Sequence, residues 1–110
     1  MRQITFEPKQ LEIRGEQVDN PFMGYLKLNV PTYLERIDLI RKMDLSEGGL
    51  GQAEKTIKLV YDCCKEVKLE FIESAEIFND LDNLSCTEEG TALINAAGRS
   101  LLLGYQLGNR

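Results

Sequence analysis

Residues 92–110, ALINAAGRSLLLGYQLGNR, constrain this chain more than any other segment, because a helix drawn through them is apolar on nearly every side. Small residues recur at every fourth position, Ala92, Ala96, Ser100, Gly104 and Gly108, and around that column lie Leu93, Ile94, Ala97, Leu101, Leu102, Leu103 and Leu107. Such a helix needs cover on more than one face, and small residues four apart let a second backbone come close along a shared ridge. The simplest neighbour is the long helical pattern of residues 52–71, but one neighbour covers one face. Soluble monomers seldom leave a contiguous apolar patch of more than about a few hundred Å² in water, so the remaining flank predicts contact with another chain. The expected protein-binding surface is therefore Leu93, Ala97, Leu101, Leu102 and Tyr105, with Ala96, Ser100 and Gly104 permitting close approach. The alternative keeps this ridge inside the domain.

The rest of the chain is unlike that segment. Charged residues make up 28% of its 110 residues, the net charge is −5, and no run of five like charges occurs. A chain of this length predicts one domain, 1–110. Nucleic acid is excluded as a partner, because affinity for phosphates comes from clustered Lys and Arg that displace counterions. No apolar run approaches a membrane span, and the N-terminus MRQITFEPKQ has no stretch resembling a signal peptide. Three cysteines without secretory context read as reduced, packed thiols of a cytoplasmic protein.

Along the chain, residues 1–30 alternate with a period of two. Ile4 and Phe6, Leu11 and Ile13, and Leu26, Leu28 and Val30 each point one way with polar residues between them, the pattern of a half-buried strand. Residues 31–110 read as helical. Thr32 and Glu35 have capping-box spacing ahead of a stripe of Tyr33, Leu34, Ile37 and Ile40. LSEGGLG interrupts. Ala53, Ile57, Val60, Tyr61, Cys64, Val67 and Phe71 form the next stripe, although VKLEF at 67–71 fits a short strand equally well. SAEIFNDLDNL predicts a short helix capped by Ser74, and Ser85 with Glu88 opens the last one. The expectation is a mainly α fold: a small helical domain of about four helices carrying a short N-terminal β-hairpin or small antiparallel sheet.

Residues that carry chemistry are scarce. With no histidine the commonest general base is missing. Three cysteines without histidine fall short of a zinc site, and Cys63 and Cys64 fall mid-helix in the pattern, away from any helix N-terminus that would activate a thiol. EGGLGQAEK lacks P-loop spacing and reads as a plain connection. Glu76, Asp80 and Asp82 lack the order of a calcium loop. The sequence therefore predicts no catalysis, no metal and no cofactor. Two classes remain: a binding protein working through apolar helical surface, or a small domain with a ligand pocket between sheet and helices.

At YLKLNVPTYLERIDLIRKMD, residues 25–44, the chain resembles the tail assembly chaperones of long-tailed bacteriophages: a short extended run leads into a Pro-Thr-aromatic cap and then a Glu-Arg helix, within an acidic chain of about this size. The resemblance implies a mainly helical protein of the host cytoplasm that self-associates, binds the tape measure protein and helps recruit the major tail protein during tail polymerisation. Because family members are often made in two lengths by a ribosomal frameshift, it also implies that the chain ending GYQLGNR is the shorter product. A head-to-tail connector or tail-completion subunit shares the size and the oligomeric habit, and is the alternative within virion morphogenesis.

Overall fold

A computed structural model describes residues 2–42 and 49–103. In chain order the elements are β1 (Gln3–Phe6), β2 (Gln10–Ile13), β3 (Glu16–Asp19), β4 (Phe22–Asn29), α1 (Tyr33–Lys42), α2 (Gly49–Cys63), β5 (Cys64–Phe71), β6 (Glu76–Phe78), α3 (Leu81–Leu84) and α4 (Glu88–Leu103). The fold is mixed α/β, with a four-stranded antiparallel sheet of order β1-β4-β5-β6 and a separate β2-β3 hairpin. This overturns the mainly helical expectation. The segments responsible are 64–71 and 76–78, which the 3.6-residue pattern assigns to helices and the structure places in strands. The stripe from Ala53 to Phe71 is two elements, since the helix stops at Cys63 and the strand begins at Cys64.

Pairing explains the switch. β4 is eight residues long and central, with β1 on one side; without β5 on the other, its second row of backbone donors and acceptors would lack partners. Val67, Leu69 and Phe71 alternate with Glu66, Lys68 and Glu70, so the strand also sorts its side chains. Across the sheet, Phe6 lies opposite Leu26 and Leu26 opposite Val67, while Gly24 lies opposite Leu69 and Leu69 opposite Phe78. These rows face the helices. Lys27 sits opposite Glu66 but Leu28 opposite Cys64, so Lys65 is the extra residue of a β-bulge.

Helices α2 and α4 pack against each other over this face, and the hairpin lies along α4. The core joins Leu26, Leu28, Val67 and Leu69 of the sheet to Val60 of α2, Leu93, Ile94, Ala97 and Leu101 of α4, and Leu11 of β2. Burying each large side chain contributes about 1.5–3 kcal/mol before entropy is counted. The hairpin turns on Arg14 and Gly15, both with positive φ (54° and 79°), the two-residue geometry whose twist matches the strands. Arg14 holds that conformation while its Nε donates to Glu88 Oε2 of α4 at 2.9 Å.

At the helix crossing the close approach falls on Gly98, where an added Cβ would run into the Thr56 side chain and carbonyl oxygen. That is two positions beyond Ala96 of the small-residue column. Thr87, rather than Ser85, caps α4, its hydroxyl oxygen accepting from Gly90 N at 2.9 Å. Ser85 instead ends α3, whose N-cap is Asp80.

Candidate functional site: the outward face of α1

The residues expected to bind partners are mostly inside. Leu93 and Leu101 are 1% and 0% exposed, and Ala97 is fully buried. Ala96 and Leu102 pack half-buried against the same core, and Ser100 is half-buried. Gly104 and Tyr105 lie outside the described residues. The physical correction is simple: the expectation counted one neighbour for this helix, α2, whereas the β2-β3 hairpin and α1 also pack on it and its leucines share the core with the sheet. Among the described residues of α4, Arg99 and Leu103 are the exposed ones of its last two turns.

Among the described helices, the most exposed apolar side chains belong to α1. Its stripe of Tyr33, Leu34, Ile37 and Ile40 is the set that periodicity assigns to the core, yet Tyr33 is 67%, Leu34 76% and Ile40 52% exposed. Ile37 is half-buried, and none of the helix residues with a described side chain is buried. Leu39 is the α1 side chain that packs on the core. At about 100° per residue it lies roughly 160° around the helix from the middle of the stripe, so the stripe points directly away from the domain.

Why the helix forms there with so little packing is visible at its start. Thr32 N donates to Glu35 Oε1 at 3.0 Å and Glu35 N donates to Thr32 Oγ1 at 3.2 Å, the reciprocal bonds of a capping box, as its spacing predicts. The backbone hydrogen bond from Thr32, then its hydroxyl, hold the Glu35 carboxyl below its ordinary value. Pro31 precedes the cap and is buried, its carbonyl accepting from Arg36 at 2.9 Å. The Arg36 guanidinium also lies 5.9 Å from the centre of the Tyr33 ring. The first turn of α1 is thus set by local bonds, leaving its apolar side chains unspent.

Two shallow clefts also occur among the described residues. One, of about 280 Å³, is lined by Tyr61, Cys64, Lys65, Glu66, Asp80 and Asp82 among others. Its polar groups already serve the fold. Tyr61 donates to Asp82 Oδ1 at 2.9 Å, and the Asp80 carboxylate accepts from both nitrogens of Asn83. At Tyr61 the Ser85 contact pulls the phenol pKa down, but partial burial and the Asp82 carboxylate together outweigh it and the net shift is upward. Burial pushes the Cys63 and Cys64 thiols up, which makes them weak nucleophiles at neutral pH. The second cleft, of about 390 Å³, lies between the hairpin and α4 under the Arg14–Glu88 pair. No three metal-ligating side chains converge among the described residues. No helix among them is long and apolar enough to cross a membrane.

Sequence periodicity found the α1 stripe and misassigned its side. The available signal was the brevity of the helix between Pro31 and the glycine cluster at 48–51, which limits how much of it one core can hold. Comparison with protein-family models, curated proteins and solved structures gives no match to this chain.

Proposed function

We propose that this chain is a non-enzymatic tail assembly chaperone that holds apolar helical surface of partner proteins on the outward stripe of α1. The observation carrying the reading is that Tyr33, Leu34 and Ile40 stand in water on one helix, pointing away from a domain that has buried its other long apolar stripes. Patches of this kind mark protein interaction sites, and helical partners dock through side chains at i, i+3, i+4 and i+7. Support also comes from position, since residues 25–44, on which the chaperone resemblance rests, run through β4 into α1. In this reading the partners are the tape measure and major tail proteins and further copies of the chain, in the host cytoplasm. Binding through one short helix is weak enough for the partner to leave when tail subunits pack.

The test is co-expression with the tape measure protein, comparing the unaltered chain with a Leu34→Lys, Ile40→Lys double variant. Co-purification should be lost in the variant while its circular dichroism and melting stay unchanged. Retained co-purification would remove the stripe from the mechanism, and failure of the unaltered chain to co-purify would remove the proposed partner.

A further inference from the structure

The sheet has a second unused feature, distinct from α1. β6 closes the order β1-β4-β5-β6, so one side of its backbone has no strand partner among the described residues. Register sets Met23, Glu70 and Ile77 in one row on the face turned away from the helices. Ile72 is the first residue of the turn after β5. Ile77 is 66% exposed, and Met23 and Ile72 are exposed with it. Around these apolar residues Glu70, Glu73 and Glu76 have no ion-pair partner among the described residues. Lys68 and Lys27 are cations on this face, opposite Tyr25 and Glu66 respectively, and both lie inward from the edge.

We propose that the β6 edge binds an extended segment of a partner protein in which basic and apolar residues alternate. The free edge offers backbone hydrogen bonds to an added strand, the mode of recognition in which main chain gives affinity and alternate side chains give specificity. Side chains of that strand on the open face cover Ile77, while Met23 lies two strands further in, on β4. Those of opposite parity, if lysine or arginine, meet Glu76 and the neighbouring Glu73. A second copy of this chain is the wrong occupant, because pairing two β6 edges brings Glu73, Glu76 and Asp80 of each against the same carboxylates of the other, and like charges across a strand pair are destabilising.

The experiment titrates a capped heptapeptide of alternating lysine and valine into the isotopically labelled full chain. Amide shifts should concentrate on β6 and on the residues from Ile72 to Ala75. Affinity should fall by about tenfold or more for Ile77→Lys and for Glu76→Lys, both exposed sites whose replacement leaves the core intact. A peptide methylated on alternate backbone nitrogens should bind correspondingly less. Equal binding of the methylated peptide, shifts spread over other acidic surface, or unchanged affinity in Ile77→Lys would each overturn the proposal, as would a dimer of the chain formed through this edge. None of these outcomes depends on α1, so this inference and the chaperone reading fail separately.

Discussion

Gly98 of α4 rests against Thr56 of α2 with no room for a side chain between them. The two helices meet at that point, and Val60 and Leu101 fill the core on either side of it. A methyl group at position 98 has backbone, not a flexible side-chain tip, on one side, so the helices must separate to admit it. Gly98→Ala is therefore expected to destabilise the domain by about 1–3 kcal/mol, more than the gain in helix propensity returns. Urea unfolding followed by circular dichroism measures it; a stability equal to or above the parent would mean that the helices move apart freely.

Leu101 and Leu34 are both leucines of apolar helix stripes, and the structure separates them completely. Leu101→Ala should cost about 2–5 kcal/mol, as expected for a core leucine. Leu34→Ala should change stability by less than about 0.5 kcal/mol, because its side chain is already in water. Thermal melts of the two variants decide the point, and comparable losses would mean that α1 is covered in solution.

Acid should loosen the start of α1. The Glu35 carboxyl has its pKa lowered in the folded chain by hydrogen bonds from Thr32, from an ordinary value of 4.5. A depressed folded pKa means that the contribution is fully present above the unfolded value and is lost as pH falls through the lower, folded one. Hydrogen exchange at the amides of the first turn should therefore show local protection dropping below the ordinary carboxylate range. In Glu35→Gln this pH dependence should vanish, and a dependence that persists would assign it to another carboxylate. Thr32→Ala should open the same turn at all pH values, by about 0.5–2 kcal/mol.

The three thiols should react in two classes. Cys86 is exposed, while Cys63 and Cys64 are half-buried with pKa values pushed up by that burial. With iodoacetamide at neutral pH, mass spectrometry should find Cys86 modified first. The reaction of Cys63 and Cys64 should accelerate only as pH rises past the range of an ordinary thiol. Faster labelling of Cys64 than Cys86 would show the α2-β5 junction opening in solution.

Short-range signals read correctly from the sequence share one property: their partners lie within a few residues. The Thr32–Glu35 box is such a case, and so is the period-two alternation at Ile4–Phe6, Leu11–Ile13 and Leu26–Leu28, each now in a strand. Residues 64–71 show where that reach ends. A stripe through Cys64, Val67 and Phe71 fits a helix, and Val67, Leu69 and Phe71 fit a strand, so the pattern alone is degenerate. Residues 76–78 misled for the same reason: Phe78 is buried in either state, and only strand pairing with Leu69 turns Ile77 outward.

By itself, then, the sequence determined where the chain can turn, cap and alternate, and which helices carry apolar stripes, because those follow from bonds and spacings within a few residues. Which stripe is hidden was decided only in the tertiary structure. Of three apolar helix stripes, those of α2 and α4 enter the core, while α1 packs on α4 through its opposite side with Leu39. Gly98 lets α4 sit against α2 with Leu93 and Leu101 in the core shared with the sheet, and Tyr33, Leu34 and Ile40 are left in water.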